Sequence, residues 1–137
     1  MLEKKNVALV HDFLIQEGGA ERVLESLARM FPNAPIYTLI ADKERFADRF
    51  RGHELHTSML QGFPKSKRTY QWYLPFMPSL IESFDLSSYD LVILSSSAFA
   101  KGVITQPRTL SICYCHTPTR YLWTDTHTYI RELKAPF

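Results

Sequence analysis

His116 is the side chain best suited to act on a bound molecule in this chain of 137 residues. It closes an apolar stretch, stands beside Thr117 and the rigid Pro118, and has Arg120 four positions on. A histidine so placed can hydrogen-bond a substrate hydroxyl and help hold charge developing near a reacting carbon. A ring satisfied by local backbone groups is the alternative. Gly18-Gly19 stands just ahead of an amphipathic stretch. Glycines there let backbone N–H groups approach a phosphate, whose charge a helix N-terminus favours. Read as loop punctuation, the same pair merely makes the turn.

Two further patterns have a chemical reading. Cys113-x-Cys115-His116 invites a metal, but structural zinc sites want four ligands, usually from C-x2-C spacing and a second pair. The two cysteines are read instead as small apolar residues on a buried strand, and no metal is expected. At that separation they lie too far apart for a relaxed disulfide, which favours reduced thiols and a cytosolic setting. The stretch from Leu60 to Phe84 mixes bases with large aromatics, among them Lys65, Lys67, Arg68, Trp72 and Tyr73. Most of these aromatics are expected in the core. The functional reading is a lip whose Lys67 and neighbouring bases face a diphosphate or anionic lipid, with Trp72 at headgroup level.

The elements that must position these residues follow from periodicity. Val7 to Val10 is a continuous apolar run and reads as a buried parallel strand, with a loop from His11 to Gly19. Ala20 to Phe31 carries Val23, Leu24, Leu27 and Phe31 at helical spacing, and Pro32 closes it. Ile36 to Ile40 is the second strand, parallel to the first because of the crossover between them. A charged helical piece over Lys43 to Phe50 and a short strand at Glu54 to Thr57 follow. The prolines Pro64, Pro75 and Pro78 divide the next stretch into two helical segments broken near Leu74-Pro75. Asp90 to Leu94 is a strand, followed by Ser95-Ser96-Ser97 and a short helix near Ala98 to Lys101. Leu110 to Cys115 is the last strand, and Pro136 discourages a helix in the tail from Arg131 to Phe137.

This alternation predicts an α/β fold, a Rossmann-like open and mostly parallel sheet with helices on both faces. Ligands of such sheets bind beyond the carboxyl ends of the strands, where the strand order reverses. With the order 3-2-1-4-5, three segments converge there: His11 to Gly19, Ser95 to Ser97, and His116 to Arg120. Ser96 and Arg120 are thereby candidates beside His116.

Composition narrows the classes. The length fits one domain, residues 1–137, and 45% hydrophobic with 22% charged residues is ordinary for a globular chain. A net charge of +2 gives no reason to expect nucleic acid as a partner. There is no secretory core after the charged N-terminus and no apolar run approaching the ~18 residues of a membrane span. The loop after Val10 holds no G-x-G-x-x-G, which disfavours a nicotinamide-dependent dehydrogenase. A lone Asp12 after the first strand fits a receiver-like phosphoacceptor poorly.

Several of these segments together resemble a known family. V-A-L-V-H-D-F-L, G-G-A-E-R-V-L-E, F-P-N-A-P-I-Y-T-L, I-E-S-F-D-L-S-S-Y-D-L-V-I-L-S-S-S and C-Y-C-H-T-P-T-R-Y-L-W are similar to the N-terminal half of retaining group 1 (family 4) glycosyltransferases of GT-B architecture. The nearest likeness is to mannosyltransferase-like enzymes of bacterial polysaccharide assembly. The resemblance runs from about Val7 to Trp123. It implies that Gly18-Gly19 lies against the donor diphosphate or the transferred sugar, and that His116 lies near that sugar and supports catalysis. It implies an acceptor site built from this half, a glycan or polyprenyl-linked acceptor, a sugar nucleotide as donor, and no cofactor or metal. The donor-binding C-terminal domain with its paired-glutamate signature is not in the sequence, so the chain alone is expected to be inactive. Its expected place is the cytoplasm, at most peripheral to the inner face of the membrane. The alternative is a non-enzymatic Rossmann-like module that recognises a glycan, a lipid-linked sugar or a protein.

Overall fold

A run such as Val7-Ala8-Leu9-Val10 has no polar side to offer water, so it is stable only when covered on both faces. In the computed structural model, which describes residues 4–63 and 69–117, it begins the central strand of a five-stranded sheet. The strands are β1 (Val7–Leu14), β2 (Ile36–Ala41), β3 (Leu55–Thr57), β4 (Leu91–Ser96) and β5 (Leu110–Cys115). Their spatial order is β3-β2-β1-β4-β5, and every neighbouring pair is parallel. The fold is thus a Rossmann-like open α/β sheet, with its order reversing between β1 and β4.

Each face has its own core. Helix α1 (Gly19–Met30) lays Leu24 and Ala28 against Leu9, Ile36 and Ile93. Phe46, at the end of the four-residue helix α2 (Lys43–Phe46), is fully buried in the same cluster. On the other face, Ala8, Val10, Leu39, Val92 and Leu94 meet Leu60, Met77 and Ile81. Truncating Leu24 or Ile81 to Ala would cost about 2–5 kcal/mol, the usual range for a large core side chain.

The proline-rich stretch is more irregular than its sequence suggests. It holds 3-10 turns at Met59–Gly62 and Tyr70–Phe76, the latter containing Pro75, and then helix α3 (Met77–Glu82). Pro75 denies an α-helix one N–H and crowds the carbonyl four residues back. Pro78 sits in the first turn of α3, where a missing N–H costs nothing. The expected burial of the aromatics holds only in part. Tyr70 and Tyr73 pack against the core, while Trp72 and Phe76 are each 61% exposed. No helix among the described residues is long and apolar enough to cross a membrane.

Three further expectations are corrected. β1 runs to Leu14 and β4 to Ser96, so His11, Asp12, Ser95 and Ser96 are strand residues, not loop residues. All four are buried, and each finds hydrogen-bond partners across the sheet. The charged helix ends at Phe46 and not Phe50, although Phe50 N–H still donates to Phe46 O. Cys113 and Cys115 stand exposed on an edge strand and are not buried. β5 pairs only with β4 among the described residues, and Leu110, Ile112 and Tyr114 lie 60%, 48% and 53% exposed along it.

Candidate functional site

Successive side chains on a strand point to opposite faces, and this sorts the buried polar residues at the strand ends into two groups. The parallel register sets His11 beside Ser95, and Ser95 beside Tyr114. His116 lies two residues beyond Tyr114, so its ring shares that face, 5.0 Å from the Tyr114 ring between centroids. Its backbone continues the ladder, His116 N–H donating to Ser96 O at 3.0 Å. Asp12 and Ser96 fall on the other face.

Asp12 is a structural anchor. Its Oδ2 accepts from the N–H groups of Ser97 (2.6 Å) and Ala98 (2.9 Å), and its Oδ1 from those of Phe99 (2.9 Å) and Ala100 (2.6 Å). The Ser96 hydroxyl donates to Oδ1 as well, at 3.3 Å. The chain after β4 therefore wraps around one carboxylate before the 3-10 turn Ala100–Gly102. With both oxygens so occupied, Asp12 has little capacity left for a ligand.

On the α1 face a hydrogen-bonded row of four side chains links that helix to β5. Glu21 Oε1 lies 3.4 Å from His11 Nε2. His11 Nδ1 lies 3.1 Å from both the carbonyl and the hydroxyl oxygen of Ser95. Ser95 Oγ in turn lies 2.7 Å from His116 Nε2. Glu21, His11 and Ser95 are buried, whereas the His116 ring is half-buried. Burial works to raise the Glu21 carboxyl. The His11 hydrogen bond, its own backbone N–H and the charges of His11 and His116 outweigh that, holding it below the usual carboxylate range. Burial, followed by the neighbouring charge of His11, pushes His116 below the ordinary histidine value, against the pull of Asp12 and Glu21. At neutral pH His116 is thus a neutral ring that offers hydrogen bonds rather than a positive charge.

Gly18 and Gly19 form the N-terminus of α1, on the same side as this row. Gly18 is the N-cap, with extended backbone that any residue adopts and no side-chain cap. A Cβ on Gly18 would come 3.0 Å from Glu21 Oε2, while one on Gly19 would meet nothing within 4 Å. The fold itself therefore makes no demand for glycine at position 19. The buried carboxylate of Glu21 occupies the first turn of the same helix, where an incoming phosphate would meet a like charge. A hydroxyl-bearing group fits that end better, since a carboxylate accepts from hydroxyls.

The other sequence candidates are placed as follows. Ser96 is fully buried, its hydroxyl bound to Asp12 and accepting from Lys101 N–H at 3.3 Å. Trp72 belongs to a segment that packs on the other face of the sheet from His116. Lys65, Lys67, Arg68 and Arg120 lie outside the described residues, as does the tail from Arg131 to Phe137. Among the described residues no group of three or more His, Cys, Asp or Glu side chains is arranged to hold a metal ion. Partial desolvation of the otherwise exposed Cys113, with the nearby Cys115, pushes its thiol up, which disfavours the thiolate a metal would need. A concavity of about 770 Å³ lies at the opposite, amino end of the strands, between Lys4, Lys5 and Asn6 and the turn at Phe31 to Pro35. It contains none of the residues above.

His11 and Ser95 lie in the segments the sequence places at the site but were not assigned individual roles there, and Glu21 was missed. A parity count would have found Ser95: once β4 is extended by two residues, Ser95 and His116 fall on one face and Ser96 on the other. Comparison with protein-family models, curated proteins and solved structures found no match to this chain. Fold and geometry define a Rossmann-like α/β sheet with a polar cluster at its switch point, the place where such sheets bind ligands.

Proposed function

We propose that the chain is the acceptor-side domain of a retaining GT-B glycosyltransferase, acting when joined to a domain that binds the sugar nucleotide. The observation that carries this reading is the meeting, at the switch point, of His116 on β5 with Ser95 on β4 and the glycine-led end of α1. Fold alone would fit many functions; the sugar enters through the likeness of the H-T-P-T-R and G-G-A-E segments. In this reading neutral His116 hydrogen-bonds a hydroxyl of the transferred hexose, mannose being the nearest expectation. The open space beside Gly19 admits the sugar, and the acceptor is a glycan or polyprenyl-linked saccharide. The Glu21 carboxylate favours the sugar, and not the diphosphate, at the α1 end.

The test is transfer by this chain fused to a donor-binding half of the family. His116→Ala should lower turnover about a hundredfold, the usual order for one preorganised polar group. Wild-type turnover in that variant would remove His116 from the mechanism. The chain alone should hydrolyse no sugar nucleotide, and robust activity from it would overturn the division of labour proposed here.

A further inference from the structure

The row Glu21–His11–Ser95–His116 constrains its own protons. Ser95 O is a carbonyl and can only accept, so His11 Nδ1, 3.1 Å away, must be the donor and carry a hydrogen. That N–H is shared with Ser95 Oγ, also at 3.1 Å. A hydroxyl has one hydrogen and two lone pairs. With an N–H already directed at its oxygen from His11, its own hydrogen is left to point at the remaining neighbour, His116 Nε2 at 2.7 Å. That nitrogen must then be bare. At the far end the ionised Glu21 carboxylate can likewise only accept, so His11 Nε2, 3.4 Å away, carries a hydrogen too; both ring nitrogens donate, and this pairing holds the ring with Nδ1 facing β4.

We infer that Ser95, oriented by His11 and Glu21, fixes the tautomer of His116, with Nε2 accepting from the serine hydroxyl and the proton on Nδ1. Ser95 and His11 are positioning residues: they touch no substrate and act through the ring of His116. Nδ1 has no hydrogen-bond partner among the described residues, and the ring is half-buried. The nitrogen left for an incoming group is therefore a committed donor. A committed donor selects an oxygen lone pair, a hydroxyl or an anionic oxygen, and rejects a ligand N–H at that point. This consequence for ligand choice rests on the functional reading above, whereas the tautomer itself rests on geometry alone.

The test is nitrogen NMR of the chain with 15N-labelled histidine, at pH 7.5 and without any donor or acceptor. His116 should show a bare, pyridine-like Nε2 and a protonated, pyrrole-like Nδ1. Ser95→Ala should return it to the Nε2–H form that free imidazoles prefer. His11→Asn places an amide N–H where Nδ1 was and should preserve the wild-type pattern; His11→Phe offers no donor and should lose it. A wild-type His116 protonated on Nε2 overturns the inference, as does a Ser95→Ala spectrum with the wild-type pattern. The wild-type spectrum can overturn the inference by itself, whether or not any variant folds. Because no sugar enters the measurement, a failure of the glycosyl-transfer reading would leave this result standing, and the reverse also holds.

Discussion

Replacing Asp12 by Asn keeps the shape of the side chain and removes its charge, which makes it a sharp test of how the site is held. Five hydrogen bonds end on the two carboxylate oxygens. In Asn one oxygen becomes an NH2 group, so two backbone N–H donors face another donor whichever way the amide turns. An orphaned buried donor costs about 1–3 kcal/mol, and the two backbone bonds that survive lose their charge assistance, about 1 kcal/mol between them. Ser97, Ala98 and Phe99 are only half-buried and can recover water, whereas Ala100 is fully buried. The expected loss is about 3 kcal/mol for Asp12→Asn and about 4 kcal/mol for Asp12→Ala, at the severe end for single substitutions. Against a total stability of about 5–15 kcal/mol, either change brings the domain close to unfolding. Urea titrations followed by far-ultraviolet circular dichroism, with the slope held common, read this directly. An Asp12→Asn chain within about 1 kcal/mol of wild type would refute the idea that this carboxylate organises the loop.

Two other outcomes follow from the site. Gly19→Ala should stabilise the chain by about 0.5–1 kcal/mol, since Ala is the better helix former and its Cβ meets nothing within 4 Å. It should still weaken transfer in the fused enzyme if the sugar occupies that space; equal stabilisation with unchanged turnover would empty the space of a ligand. The stability of the chain should also fall as pH drops below about 6.5, the ordinary histidine value. There the unfolded chain takes up a proton that folded His116, its affinity depressed by burial and by His11, does not yet bind. The urea midpoint should therefore drop more between pH 7 and pH 5 in wild type than in His116→Asn, and equal slopes would refute the assignment.

Most of the scaffold is legible in the sequence because its signals are local. Continuous apolar runs at Val7 to Val10 and Leu91 to Leu94 need cover on both faces. The helical spacing of Leu24 and Leu27 supplies that cover, and the crossover dictates parallel pairing. Strand ends were less legible, because His11, Asp12, Ser95 and Ser96 look like loop residues until their partners are known. Asp12 has its donors 84 to 88 residues away in the chain, a separation no local pattern encodes. The site failed to be legible for the same reason. His116 was visible as a histidine at a strand end, but the groups that set its protons come from β1, β4 and α1. Cys113 and Cys115 misled in the opposite sense: their apolar strand pattern suggested a core position, and the sheet places them on its outer strand.

The position of β5 gives the site an uneven durability. Backbone bonds join this strand to β4 alone among the described residues, and its three large apolar side chains on the α1 face remain largely open to water. Strands with few buried contacts separate from a sheet at lower free-energy cost than central ones. His116 would leave with β5, while His11, Asp12 and Ser95 stay on the two innermost strands. Amide exchange should accordingly be faster from Leu110 to Cys115 than from Leu9 or Ile93. The fraction of molecules with His116 in place is then the fraction in which β5 is docked, and any surface that covers Leu110, Ile112 and Tyr114 raises both together.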